Sequence, residues 1–278
     1  MARKVLIILV LAFIYSGCSK EENTSVNYNY YITAGEEYVM FQNVVHENLK
    51  WIYRATRVAD FEGDNRDTIR SVQVIRELDE GDSSVYTLDY TASWFDYDGV
   101  HKDSTITLSV KGDMRTDGDR ARLDVDGFSF EERQLKGQLI YSHKGSDDGL
   151  DVIDVYSRGL GFRDTLGRTH NIVIDQQLKI KNYISFLGNI KFRFQTSGMA
   201  EGTASNFKKY TASITDTAVL RDSLACTRVK KGTVILGIEN SEANGTTYIQ
   251  FGEGSLDTCS NKYRISFDDE KYDLNKNQ

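Results

Sequence analysis

The sequence predicts a mainly β protein: an antiparallel meander, forming an elongated twisted sheet or a two-sheet sandwich, with one N-terminal amphipathic helix. Three observations predict it. One early segment repeats its apolar residues at three- and four-residue steps, and no second segment does so. From Thr68 onward, short runs rich in Val, Ile, Thr, Tyr and Phe alternate with period two. Proline is absent from all 278 residues, so the turns between those runs must be made by Gly, Asn and Asp.

The helix is expected over residues 35–59. Thr33 and Glu36 have the spacing of a capping box, a hydroxyl followed three residues later by a carboxylate. Tyr38, Phe41, Val45, Leu49, Ile52, Ala55 and Ala59 then form one apolar stripe. Glu36, Asn43, Glu47, Lys50, Arg54 and Arg57 fill the other side. The stripe reads as a packing face that docks on the sheet. A helix lying on a membrane would be richer in Lys and Arg on its polar side, which here carries both signs of charge.

Strands are expected at residues 72–75, 85–90, 105–110, 121–126, 138–141, 172–174, 178–180, 190–194, 210–214, 233–236, 247–251 and 263–267. Asp98-Gly99, Asp117-Gly118, Asp126-Gly127, Asp148-Gly149 and Asn244-Gly245 supply hairpin-type turns between many of them. One sheet face should cover the helix, and the other should meet a second sheet or solvent. No low-complexity linker divides the region. A single domain over 34–278 is expected, with residues 145–149 as the one plausible seam between sub-sheets.

The first 22 residues read as an address. Arg3 and Lys4 precede an uncharged apolar run, Val5 to Tyr15, and Gly17 stands just before Cys18. The run is shorter than the roughly 20 residues needed to span a bilayer. Cleavage before a cysteine resembles the lipobox of bacterial lipoproteins. The resemblance implies that residues 1–17 are a signal peptide and that Cys18 becomes a lipidated N-terminus. Several acyl chains at about 0.8 kcal/mol per buried methylene would anchor it firmly. Ser19-Lys20-Glu21-Glu22 resembles the charged export tag that follows the lipidated cysteine in many surface lipoproteins of the Bacteroidota. Residues 18–33 would then be a polar tether to a body displayed at the outer membrane, surface-exposed, with a periplasm-facing orientation as the alternative.

Net charge is −7 and no basic cluster appears in the sequence, which argues against nucleic-acid binding. With Cys18 taken by lipid, Cys226 and Cys259 remain. An oxidising compartment favours their pairing. The bridge would close a loop of about 33 residues, worth roughly 3–4 kcal/mol in the chain-entropy view. Metal binding by these cysteines is the alternative, although no histidine lies near either.

Ser197-Gly-Met-Ala-Glu-Gly202, Tyr210-Thr-Ala-Ser-Ile-Thr215, Leu224-Ala-Cys226 and Lys231-Gly-Thr-Val234 are followed by Ile249-Gln-Phe-Gly-Glu-Gly254, Cys259-Ser-Asn261 and Lys271-Tyr-Asp-Leu274. This order resembles a loosely defined family of β-rich Bacteroidota lipoproteins of unknown function, which end in a hairpin array with an "FGxGxCDN" element. Gly254 and Cys259 stand further apart here, Ser260 replaces the usual Asp and Asp269 the usual Gly. The resemblance brings no catalytic residues. Asp67-Thr68, Asp103-Ser104, Asp164-Thr165, Asp216-Thr217 and Asp222-Ser223 resemble the Asp-Ser/Thr-apolar acceptor of protein O-glycosylation in the same bacteria, with turn chemistry as the alternative.

Other chemistry is sparse. His46, His101, His143 and His170 lack metal-pair spacing and read as surface or edge residues. Asp60, Glu62, Asp64 and Asp67 form the best calcium-like loop but lack EF-hand order. No cofactor is otherwise implied. Gly-x-Ser-x-Gly and phosphate-cradling loops are absent. Trp51, Trp94 and the tyrosines could stack on sugars, and Tyr28, Tyr30 and Tyr31 sit by the tether where no core explains them. The expectation is a lipid-anchored, non-catalytic envelope protein with a binding, adhesion or structural role, and a glycan or protein as ligand. The alternative is an envelope carbohydrate-active enzyme using paired carboxylates.

Overall fold

The computed structural model describes residues 29–61, 65–91, 101–184, 190–223, 229–239, 246–252, 262–267 and 270–275. Cys18, Cys226, Cys259, Glu62, Asp64, Tyr28 and Trp94 lie outside the described residues.

Among the described residues one helix, α1 (Asn29–Arg57), is followed by strands alone. These are β1 (Arg66–Ile69), β2 (Val72–Glu80), β3 (Ser83–Asp89), β4 (Lys102–Asp103), β5 (Thr105–Lys111), β6 (Arg120–Asp124), β7 (Ser129–Phe130), β8 (Arg133–Asp147) and β9 (Leu150–Arg163). The series continues with β10 (Thr169–Ile184), β11 (Ile190–Thr203), β12 (Lys209–Ile214), β13 (Leu220–Ser223), β14 (Gly232–Ile238), β15 (Thr247–Phe251), β16 (Lys262–Phe267) and β17 (Glu270–Asn275). All belong to one sheet in which every pairing is antiparallel. The two-sheet alternative therefore does not hold. Residues 145–147 end β8, and residues 148–149 are the tight turn into β9, with Asp147 paired to Leu150. Among the described residues β1 pairs only with β2 and β17 only with β16, so the sheet is not closed into a barrel.

The sheet encloses the helix. Every residue from Glu37 to Ala55 is buried, about five full turns with no solvent-facing stripe. Contacts come from all sides. Tyr38 lies edge-on to Tyr210 of β12, Phe41 stacks on Phe162 of β9, and Trp51 meets Tyr90 just after β3. Tyr141 of β8 donates its hydroxyl to the Val45 carbonyl at 2.7 Å. A Cβ on Gly35 would stand 2.5 Å from Ile265 of β16, so glycine here lets the helix approach that strand.

The helix begins six residues before residue 35, and Thr33 and Glu36 fall inside it rather than at a cap. Tyr31 is 4% exposed and stacks on Phe267, so Tyr30 and Tyr31 belong to the first turn of α1. The polar side of α1 is as buried as the apolar stripe, which amphipathic reasoning did not foresee. β9 was not legible as a strand. Its buried set, Val152, Ile153, Val155, Leu160 and Phe162, breaks period two. The runs 172–174 and 178–180 are one strand, β10, because the polar Asp175-Gln-Gln177 between them stays in the ladder.

The break in β9 is a paired bulge. The β8–β9 register shifts between Lys136 and Gln138, and the β9–β10 register between Asn171 and Asp175. Gly137 (φ 95°) and Gly159 (φ 59°) both take left-handed backbone there. Ser157 patches the interrupted ladder: its hydroxyl donates to the Ile172 carbonyl and accepts from the Ile174 N–H at 2.9 Å.

Two glycines separate conformational strain from crowding. A Cβ at Gly137 would sit 2.4 Å from the Gly159 carbonyl oxygen, whereas one at Gly81 (φ 63°) meets nothing within 4 Å. Gly81→Ala should lower unfolding stability by about 1 kcal/mol, the left-handed penalty alone. Gly137→Ala should lower it by about 3 kcal/mol or more, because a backbone atom cannot step aside. Urea unfolding of both variants measures the difference, and equal losses would contradict the bulge packing described.

Candidate functional site

Three buried polar clusters tie α1 to the sheet. At the N-terminal end Glu37, His170 of β10 and Tyr210 of β12 form a chain. His170 Nδ1 donates to Glu37 Oε2 at 2.6 Å, and the Tyr210 hydroxyl donates to His170 Nε2 at 2.8 Å. The backbone N–H and the hydroxyl of Ser205, in the β11–β12 loop, also donate to the Glu37 carboxylate. Burial alone would push the Glu37 carboxyl up, but His170 and Ser205 together bring it below the usual range.

Midway along, Tyr38 donates to Gln42 Oε1 at 3.0 Å, and Gln42 and Gln176 of β10 exchange amide hydrogen bonds at 3.2 and 2.8 Å. Gln42 Nε2 donates to His46 Nε2 at 2.9 Å, and Thr196 of β11 reaches the same nitrogen at 2.9 Å. An amide nitrogen can only donate, so the His46 proton is on Nδ1, where it is given to Asp222 of β13 at 3.1 Å. Lys50 donates to the same Asp222 oxygen at 2.7 Å. Full burial lowers the His46 imidazole below its usual 6.5 despite the opposing pull of Asp222, and the ring is neutral at pH 7.

At the C-terminal end Glu47 Oε1 accepts from Trp51, Arg54 and Lys102 of β4 at 2.9, 3.2 and 3.2 Å. Burial would raise this carboxyl, but Lys102, Arg54 and Lys50 hold it down to about 2.

On the outer face of the sheet lies a recess of about 720 Å³, at the bulge. Its lining includes Gly159 and Leu160 of β9, Asn171 and Val173 of β10, Glu201 and Thr203 of β11, Lys209 and Thr211 of β12, Gly237 of β14, and Glu239 just after it. The register explains the row: Val173 faces Glu201, Glu201 faces Thr211, and Thr211 faces Gly237. Glycines at 159 and 237 leave the floor low. Lys209 and Glu239 pair across the rim at 3.5 Å. One row further along, exposed Met199, Ile235 and Tyr248 continue the same outer face in register. Tyr210 and Ile172 underlie the groove from the inside, so the Glu37–His170–Tyr210 chain braces its floor.

Most residues singled out from the sequence do not converge here. His46, His143 and His170 are buried, not surface residues, and His101 is half-buried. Asp60 and Asp67 meet only through the Asp60 N–H, which donates to Asp67 Oδ2 at 2.9 Å on an exposed surface. Among the described residues no three His, Cys, Asp or Glu side chains form a metal-binding group. Thr68, Thr165 and Thr217 are exposed, Ser104 is half-buried at a left-handed turn (φ 78°), and Ser223 ends β13. Thr211, Glu201 and Gly237 were missed because outward strand positions carry no signal until the register is known.

Comparison of the chain with family models, curated proteins and solved structures found no match.

The buried clusters predict an acid-sensitive fold. His46, Glu37 and Glu47 all bind protons less readily folded than unfolded. Stability should therefore be fullest above the unfolded histidine value of about 6.5 and fall as pH drops through the lowered folded values. His46 should account for the first decline and the two carboxylates for the steeper loss below about 4.5. In His46→Gln the decline should begin only at the carboxylates. Urea midpoints from pH 8 to pH 3 measure this, and an unchanged onset in the variant would show that His46 is not the first group to titrate.

Proposed function

We propose that this chain is a lipid-anchored protein of the bacterial cell envelope, held at the outer membrane through Cys18, whose β-rich body binds a ligand in the outer groove without transforming it. The order Arg3-Lys4, apolar run, Gly17-Cys18 supports the anchor, and Ser19–Glu22 supports display on the outer surface. One observation carries the binding role. The groups suited to acid–base chemistry, Glu37, His170, Tyr210, His46 and Asp222, are bonded to one another inside the sheet, while the open groove offers Asn171, Thr203, Thr211, Glu201 and the Lys209–Glu239 pair. Short polar side chains on a rigid strand platform, with Val173 and Tyr248 exposed on the same outer face, suit a hydroxyl-rich chain such as a glycan.

The test has two arms. Cys18→Ala should leave the mature N-terminus unacylated and abolish membrane retention, and external protease should remove the body from intact wild-type cells. Thr211→Trp, which fills the groove from an exposed position, should abolish binding to glycans on an array while leaving thermal unfolding within a few degrees of wild type. Retention of the Cys18 variant would refute the anchor, and unchanged glycan recognition by Thr211→Trp would refute the groove.

A further inference from the structure

We infer that the end of the body where α1 begins is a docking surface for the bilayer that holds the Cys18 lipid, with Phe207 and Leu166 as the side chains that enter it. The inference rests on the lipid-anchor reading above. Among the described residues these are the two most exposed large apolar side chains, at 82% and 77%. The next, Val173, is 63% exposed and lies on the outer sheet face. Leu166 tips the turn between β9 and β10, and Phe207 tips the turn between β11 and β12. The ladder puts both turns at one end of the sheet: Asn171 of β10 pairs with Gly161 of β9 on one side and with Thr203 of β11 on the other. The tips are thus two strand spacings apart, roughly 10 Å.

Both tips are held firmly. In the first, Asp164 accepts from the backbone N–H groups of Leu166 and Arg168 at 2.9 and 2.8 Å and from the Arg168 guanidinium at 2.6 Å. In the second, Phe207 donates its N–H to the Ala204 carbonyl at 2.8 Å and takes left-handed backbone (φ 65°), which bulky residues rarely adopt. The same loop is fastened to the start of α1. Ser205 donates to Glu37, Asn206 donates to the Tyr30 carbonyl at 3.4 Å, and the Lys208 ammonium lies 4.6 Å from the centre of the Tyr30 ring. A ring mounted in this way is withheld from the core, and covering it with lipid removes apolar surface from water.

The course of the chain names the surface. α1 begins at Asn29, so residues 18–28 alone join the lipidated cysteine to the helix, and a chain of that length reaches no further than about 40 Å. It enters the body beside Tyr30, on the Phe207 loop. The anchor is therefore joined to the body at the end that carries both apolar tips. Tyr30, itself 38% exposed, adds an aromatic ring with a polar hydroxyl, the type that sits at headgroup level. Two apolar side chains are too few to recruit a protein from solution, but they suffice to orient one that a lipid already holds at high effective concentration.

The test uses the acylated mature protein in vesicles of phosphatidylethanolamine and phosphatidylglycerol, with flotation showing whether it is held. Phe207→Trp reports on the tip. Its added emission over wild type should be roughly halved by lipids brominated on the acyl chains and shielded from aqueous iodide, as for a ring ~5–10 Å into the boundary between headgroups and acyl chains. Ser146→Trp, exposed beside the β8–β9 turn at the other end of β9, should be quenched by iodide and not by brominated lipid. Should Phe207→Trp not fold, Leu166→Trp gives the same reading at the second tip. A protein that floats while tip emission stays open to iodide and insensitive to brominated lipid overturns the docking surface, leaves the anchor standing, and gives the tips to a protein partner instead. A protein that does not float overturns the anchor and the docking with it.

Discussion

A helix enclosed on every side cannot leave a polar side chain in water, and this requirement organises the molecule. From Glu37 to Ala55 α1 presents Glu, Gln, Asn, His, Lys and Arg to the interior. A buried charge or amide without a partner costs several kcal/mol, whereas well-paired groups come close to neutral. The sheet must therefore supply matched partners at a fixed register, as it does for Glu37, Gln42, His46, Lys50 and Glu47. It does so with His170, Gln176, Thr196, Asp222 and Lys102, which come from strands far apart in the sequence. A one-residue slip of β10 would turn His170 and Gln176 outward and leave Glu37 and Gln42 without their partners. The polar face thus specifies register more strictly than apolar packing alone could.

That arrangement separates the inner chemistry from the outer surface. The titratable clusters brace the strands from within, and recognition is left to the outward row of each strand. The groove arises where paired bulges at Gly137 and Gly159 interrupt the ladder, with Ser157 satisfying the backbone groups released there. The groove lies outside the Tyr210 cluster, and the buried hydrogen-bonded chain behind it gives it a rigid floor.

The fold class and the helix were legible in the sequence because a three- to four-residue stripe at Tyr38, Phe41, Val45 and Leu49 and the later period-two runs are local signals. The burial of the helix's other side was not. Lys50 and Glu47 look like solvent-facing residues until Asp222 and Lys102 are brought to them from 172 and 55 positions away. The histidines misled for the same reason: an isolated His in a strand gives no sign of which face it occupies. β9 was hidden by its bulge, since glycines at 159 and 161 and a shift in phase erase the alternation that marks a strand. The sites were the least legible, because a groove of Thr, Gly and Glu exists only through cross-strand register.

The central claim is that α1 cannot leave its enclosure unless the sheet opens. Native-state amide hydrogen exchange measures this directly, since local openings and global unfolding are distinguished by their free energies. Amides of Val44 to Leu49 should exchange only with the global free energy, in step with the centres of β8, β9 and β10, while those of the edge strand β1 exchange far sooner. Helix amides that exchange at markedly lower free energy than the central strands would show that the helix detaches on its own, and would contradict the account.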